Sequence, residues 1–393
     1  MRSATFALLL LLAAVPAHAG SDGQSYDQIS RGRYLATLGD CAACHTVPGG
    51  PPYAGGRALE TPFGTLLAPN LTPDRETGIG AWSDDEFIAA VREGQGRNGH
   101  LYPAMPYPYY TKMSRDDVLA IRDYLATLEP VTNKVVANQL PFPFSMRFTL
   151  SMWNGINFTS GRFQPVQGKS EEWNRGAYLV EGAGHCGACH TSKNFLGGDH
   201  TGSALEGGVL QGWFAPNITG DPHVGVGGWS ADDIVAYLLT GHNRMSAATG
   251  PMAEVVTDQT SQMSPQDLQA IAVYLKDTGD QSNPAPTPIA ASDPVMQKGQ
   301  AVYIDQCTAC HGAAGDGIPS LIPSLKGSSS IQSADTTSLR RIVMEGARSV
   351  ATDPAPTGAA MPSFGWKLSR EQIAAVLTYI RNSWGNSAAA VAP

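Results

Sequence analysis

Cys41-Ala42-Ala43-Cys44-His45 recurs as Cys186-Gly187-Ala188-Cys189-His190 and again as Cys307-Thr308-Ala309-Cys310-His311, and the three copies use all six cysteines of the 393-residue chain. At this spacing two thiols can each reach one vinyl group of a single porphyrin, and the next imidazole then falls beneath the iron as an axial ligand. Cys-x-x-Cys also serves zinc sites and redox dithiols. Zinc, however, needs a second ligand pair at a further fixed spacing, and a dithiol needs no histidine after it in every copy. The pattern is that of three covalently attached c-type haems, with the iron held by His45, His190 and His311.

Upstream of the first motif the chain opens Met1-Arg2, runs apolar from Phe6 to Val15 and offers Ala17-His18-Ala19 before Gly20. A secretory signal peptide is expected over 1–19, its apolar run being too short for a bilayer span. Export to the periplasm agrees with haem attachment, which is completed outside the bacterial cytoplasm. The rest of the chain divides into roughly 125 residues per motif, the size of one domain. A net charge of −8 disfavours nucleic acid as a partner and permits steering toward a basic patch on a protein. No later stretch is long and apolar enough for a membrane span, so the mature chain is expected to be soluble or peripherally attached.

Self-comparison organises the remainder. Cys41 aligns with Cys186 at an offset of 145. At an offset of 147, Ala68-Pro69-Asn70 aligns with Ala215-Pro216-Asn217, Trp82-Ser83 with Trp229-Ser230, and Asp85 with Asp232. Ahead of the three motifs lie Arg31-Gly32-Arg33-Tyr34, Arg175-Gly176-Ala177-Tyr178 and Lys298-Gly299-Gln300-Ala301-Val302-Tyr303. The glycine in each is expected to admit a second helix at close range. Behind them, 117–125, 267–275 and 371–380 show helical apolar periodicity, with Ser114, Ser264 and Ser369 at their N-caps.

The fold expected is all-α, with three tandem cytochrome c-like domains, each wrapped round one covalently bound haem c. Domain one covers 20–129, domain two 173–280 and domain three 295–385. Between the first two, 130–172 is an apolar strap expected to pack across both. Residues 281–294 form a Pro/Ala-rich linker, and 386–393 a tail expected to fray.

The second axial ligand decides whether an iron is a closed carrier or an open reaction site. No histidine follows His311, which leaves Met344 and Met361 in the third unit. Met344 sits within an apolar helical pattern and reads as core, whereas Met361 lies in a loop before Pro362. In the first two units a shared ligand must occupy one repeat position. Met105 aligns with Met252, whereas Met113, His100, Met245, His242 and Met263 each align with a residue that is neither Met nor His. The pairs are therefore His45/Met105, His190/Met252 and His311/Met361. Thioether ligation raises the reduction potential relative to a second imidazole. Three closed irons leave no position for a substrate, so electron transfer is expected, with no substrate-converting site on this chain. The rival classes are a freely diffusing electron carrier and a haem enzyme with an open iron. His185 is a candidate to tune the second haem, and Arg57 and Arg97 are candidates to reach haem propionates.

The triple motif, the Ala-Pro-Asn-Leu/Ile-Thr segments, the Trp-Ser-Asp/Ala-Asp signatures and Gly250-Pro251-Met252-Ala253-Glu254-Val255-Val256 resemble the triheme cytochrome c subunit of periplasmic dehydrogenase complexes. That family includes quinoprotein alcohol dehydrogenase and the flavin-dependent gluconate, sorbitol and fructose dehydrogenases. The resemblance implies a large dehydrogenase subunit of PQQ, FAD or molybdenum type as electron donor, and ubiquinone or the respiratory chain as acceptor. It also implies a small chaperone-like subunit and a place at the periplasmic face of the cytoplasmic membrane. Some members carry a C-terminal amphipathic extension; here a partner subunit, or the apolar segment 140–158, would make the membrane contact.

Overall fold

In each repeat an early helix crosses a late one at a glycine, and this crossing sets the frame of the unit. A computed structural model describes residues 25–280, 284–319 and 321–393; the expected signal peptide and the first residues of the 281–294 linker lie outside the described residues.

The first unit runs α1 (Tyr26–Leu38), α2 (Cys41–His45), a hairpin of β1 (Ala58–Thr61) and β2 (Gly64–Leu67), α3 (Asp84–Glu93), a hairpin of β3 (Gln95–Gly96) and β4 (Gly99–His100), α4 (Tyr107–Tyr110) and α5 (Arg115–Ala126). The strap carries α6 (Thr149–Asn157). The second unit has α7 (Glu171–Tyr178), a wide π turn at Leu179–Ala183, α8 (Gly187–His190), β5 (Gly208–Leu210), β6 (Trp213–Ala215), α9 (Ala231–Thr240), α10 (Pro251–Asp258) and α11 (Pro265–Lys276). The third has α12 (Pro294–Gln306), α13 (Thr308–His311), α14 (Ser329–Gln332), α15 (Thr337–Glu345), β7 (Ala347–Arg348), β8 (Ala360–Met361) and α16 (Arg370–Ile380).

Helices form the framework, but the all-α expectation omits four two-stranded antiparallel sheets among the described residues, β1–β2, β3–β4, β5–β6 and β7–β8. With two to four residues per strand, none is long enough to show a readable alternation in sequence.

A Cβ on Gly32 would lie 1.8 Å from the Ala120 carbonyl oxygen, one on Gly176 2.0 Å from that of Ala270, and one on Gly299 2.1 Å from that of Ala375. The three glycines thus let α1 meet α5, α7 meet α11 and α12 meet α16 with backbone against backbone. Ser114, Ser264 and Ser369 cap α5, α11 and α16 through bonds from the third residue on, as expected. The repeated Trp-Ser pairs have a local reason as well: Ser83 and Ser230 make reciprocal capping boxes with Glu86 and Asp233.

The first two units share one continuous core, in which Leu35, Val118 and Leu125 belong to the same cluster as Leu179, Leu268 and Leu275. Two smaller clusters fill the third unit, and a seam of Ala248, Val256 and Val350 joins it to the second. Across the shared core runs a reciprocal polar pair. Tyr34 donates to Asp267 at 2.7 Å and accepts from the Ser264 N–H at 3.1 Å. Tyr178 donates to Asp117 and accepts from the Ser114 N–H at 3.1 Å. Arg31 Nε reaches Asp117 at 2.8 Å and Arg175 Nε reaches Asp267 at 2.8 Å. Each buried carboxylate is therefore held by an arginine of its own unit and a tyrosine of the other.

The tail differs from expectation: Asn386, Ser387, Ala388 and Val391 are buried, and the Val391 N–H reaches Thr378 Oγ1 at 2.9 Å. The polar side chains of Asn382 and Asn386 bind its backbone and that of α16, which a count of small residues does not reveal. Met344 also departs from its core reading, being 40 % exposed at the end of α15.

Two outcomes follow in thermal unfolding. Gly176→Ala, a change that ordinarily gains about 1 kcal/mol in a helix, should instead cost a few kcal/mol, because the new methyl meets the Ala270 carbonyl. Tyr34→Phe and Tyr178→Phe should each cost about 1–2 kcal/mol and do so to a similar extent.

Candidate haem-attachment sites

Each motif follows directly on the first helix of its unit. Asp40 and His185, the residues before Cys41 and Cys186, have left-handed backbone with φ of 50° and 38°. This reversal turns the chain out of the preceding helical segment so that both thiols and the imidazole come onto one turn. The third unit has no such reversal, since Gln306 is still helical.

His45 Nδ1 lies 2.7 Å from the Pro69 carbonyl and His190 Nδ1 lies 2.6 Å from that of Pro216. A carbonyl can only accept, so the proton is on Nδ1 and Nε2 keeps its lone pair for a metal. Burial lowers both imidazole pKa values, which favours the neutral ring. The histidine carbonyls accept from Gly55, Gly207 and Gly317 at 2.8, 2.8 and 3.0 Å. His311 Nδ1 is buried without a partner. A Cβ on Gly317 would lie 2.6 Å from the Pro323 oxygen, as one on Gly55 would lie 2.7 Å from that of Pro69. Pro323 is therefore the carbonyl in the corresponding place. Sequence reasoning missed the prolines as partners, although the repeated Ala-Pro-Asn had already marked two of them.

None of the six cysteines is joined in a disulfide. Burial pushes Cys41 and Cys186 up to about 12, and Cys44 and Cys307 up to about 11. Redox dithiols instead sit in surroundings that lower the thiol pKa, so these four thiols do not fit that chemistry. Among the described residues no three or more His, Cys, Asp or Glu side chains gather as a metal site of their own. In the first two motifs, paired thiols in enclosed surroundings beside an Nε2 with a free lone pair do fit a covalent porphyrin, which when bound supplies one-electron iron chemistry.

Met105 is half-buried against the shared core, in a turn closed by its N–H to the Tyr102 carbonyl at 3.0 Å. Met252 is the second residue of α10 and packs against the seam. Met361 lies in β8 opposite Ala347 and packs against the third unit's cluster. Met113, Met245 and Met263 are buried filler in the shared core.

The first two motifs face each other across that core. Tyr110 of α4 donates to the Gly39 carbonyl and meets the His185 ring edge-on, with centroids 5.6 Å apart. From the other side, Arg57 binds the Ala43 carbonyl at 2.5 Å and lies 3.4 Å from Glu254 on α10. Arg97 pairs with Glu86 at 2.6 Å and stacks over Trp82. Asp40, facing Asp258 and Glu254 with Arg57 opposing, is raised to about 7, chiefly by burial.

The Cytochrome c family profile matches residues 29–129 and 296–384. The gluconate 2-dehydrogenase cytochrome c subunit of Pantoea cypripedii is 40 % identical over 98 % of this chain and 92 % of its own. The cytochrome c subunit of alcohol dehydrogenase (quinone) from Gluconobacter oxydans is 37 % identical over 96 % of this chain and 84 % of its own. The fructose dehydrogenase cytochrome subunit of Gluconobacter japonicus is 34 % identical over 92 % and 80 %. The chain belongs to the family of cytochrome c subunits of dehydrogenase complexes. Its role is electron transfer beside a dehydrogenase catalytic subunit.

Asp40 carries a pH prediction. Its folded pKa lies above that of the unfolded chain, so the native state holds the proton more tightly. Stability should fall as pH rises from the ordinary carboxylate range to about 7 and then level off. Asp40→Asn should flatten that fall, which is about 1.4 kcal/mol per pH unit at most; unfolding midpoints between pH 4 and 8 measure it.

Proposed function

We propose that this chain carries three haems c in three tandem cytochrome domains, at Cys41/Cys44, Cys186/Cys189 and Cys307/Cys310, with axial pairs His45/Met105, His190/Met252 and His311/Met361. It takes electrons from a PQQ- or FAD-dependent subunit, less readily a molybdenum one, that oxidises an alcohol, sugar or aldehyde. It passes them to ubiquinone or the respiratory chain at the periplasmic face of the cytoplasmic membrane. The observation that carries this reading is the Pro-carbonyl bond at His45 and His190, which leaves each Nε2 free to ligate a metal beside a thiol pair. The names of the relatives support the donor class, since gluconate, alcohols and fructose are all oxidised at a CH–OH group. The word quinone in one of them supports the acceptor.

His311 lacks the bond that orients the other two imidazoles, and Cys310 is the exposed member of the six thiols. The third centre is thus the least enclosed by protein, which suits the entry or exit end of a chain of carriers.

A haem assay on the purified protein should return three haems per chain. Met105→His, Met252→His and Met361→His should each lower the potential of one haem and leave the other two in place. The reduced wild-type protein at neutral pH should not bind carbon monoxide. Binding there would mean an open iron, and an unchanged potential in any one variant would remove that methionine from the ligand set.

A further inference from the structure

Helix α4 belongs to the first unit, yet it lies against the attachment turns of both the first and the second. Its sequence, Tyr107-Pro108-Tyr109-Tyr110, begins two residues after Met105. Tyr110, 4 % exposed, donates its hydroxyl to the carbonyl of Gly39, two residues before Cys41. Its ring meets that of His185, the residue before Cys186, edge-on with centroids 5.6 Å apart, a favourable aromatic geometry. Tyr109 turns to the second motif. Its hydroxyl donates to Asp199, which Lys193 also binds, and its ring covers the turn between Cys186 and Cys189: a Cβ on Gly187 would lie 2.9 Å from Tyr109 Cε1 and 3.1 Å from its hydroxyl oxygen. The first motif has Ala42 and the third Thr308 at that position, so the glycine of the second leaves the space this ring takes.

The repeat supplies a contrast. Helix α10, the counterpart of α4, reaches back to the first motif: Glu254 lies 3.4 Å from Arg57, and Gln259 donates to the Leu38 carbonyl just beyond it. At the positions aligned with Tyr109 and Tyr110, however, it carries Val256 and Thr257. Each unit thus sends a helix to the other's attachment turn, and only α4 brings aromatic rings there. The interval between the turns is short. Burial raises the Cys189 thiol, with Lys193 opposing, and Asp40 beside Cys41 adds to the rise, so a carboxylate of the first turn acts on a thiol of the second.

An electron tunnels between two centres at a rate that falls steeply across empty space and more gently through bonded and closely packed atoms. Two rings on adjacent residues, one tied to each turn, offer such a medium. Burial holds the Tyr110 phenol well above its ordinary pKa, so it stays a neutral donor to Gly39.

We propose that the rings of Tyr109 and Tyr110 form the bridge through which the haems held at Cys41/Cys44 and Cys186/Cys189 exchange electrons. The step moves one electron: one iron is oxidised and the other reduced, no bond forms or breaks, and both phenols keep their protons. The proposal rests on the reading of the first two motifs as haem sites and adds the residues that couple them.

The full-length haem-loaded protein is partly reduced by a light flash, and the redistribution of electrons is followed in the haem absorption bands. A phase whose rate is independent of protein concentration, and whose amplitude changes in both Met105→His and Met252→His, is the exchange between the first and second centres. Tyr109→Leu and Tyr110→Leu should each lose that phase. The variant with both Tyr109→Phe and Tyr110→Phe should keep it, since it gives up both hydroxyl bonds and neither ring. Haem content, reduction potentials and the sulfur-to-iron absorption should stay as in the wild type in every tyrosine variant, which a defect in packing at the haems themselves would not allow.

A wild type without such a phase overturns the proposal, as does a fully haem-loaded leucine variant that exchanges as fast as the wild type. It is equally overturned if the phenylalanine pair loses the phase as completely as the leucine variants do, for then the hydroxyl bonds matter and the rings do not. Should one leucine variant fail to take up haem, the other decides. Wild-type protein with no haem at the first two motifs sinks the three-haem reading itself, whereas three bound haems with normal exchange in the leucine variants sink the bridge alone.

Discussion

Two buried carboxylates, each shared between units, govern the relation of the first two sites. Asp117 and Asp267 begin α5 and α11, where a negative charge also suits the helix N-terminus. Each takes an arginine from its own unit and a tyrosine from the other. A buried charge with all its partners adds little net stability over an apolar alternative, but it penalises any arrangement in which one partner is missing. The two tyrosines thus favour one register of unit against unit. With that register set, the shared core can close and the first two motifs come to face each other.

The glycine crossings act at shorter range to the same end. With no side chain at Gly32, Gly176 or Gly299, the paired helices approach until carbonyls occupy the space a methyl would take. The motif that follows is then delivered at a fixed distance from the crossing. Beyond it the chain returns through a proline whose carbonyl orients the imidazole in the first two units. The third unit shares the crossing but lacks the left-handed residue, the Pro–His bond and the shared core, so its site is the more open of the three.

Much of this was legible in the sequence because it is local or repeated. The Cys-x-x-Cys-His motifs, the capping serines and the close-approach glycines all recur, and each has a reason that operates within a few residues or at one helix crossing. The hairpins were not legible, because strands of two to four residues carry no period. Nor was the buried tail, whose anchoring depends on Asn382 and Asn386. Met344 misled because helical periodicity says which residues share a face and not which face has a neighbour.

The sequence by itself determined the spacing of the thiols and imidazoles and which helices bracket them, since covalent spacing and helical periodicity are properties of the chain alone. Tertiary structure decided the relation between those parts. That the first two units share one core, that Tyr34 and Tyr178 exchange partners, and that α6 turns Phe148, Met152 and Ile156 outward all depend on long-range packing. Apolar residues carry no label for the surface they will meet, and a tyrosine hydroxyl names no carboxylate until the fold brings one within reach.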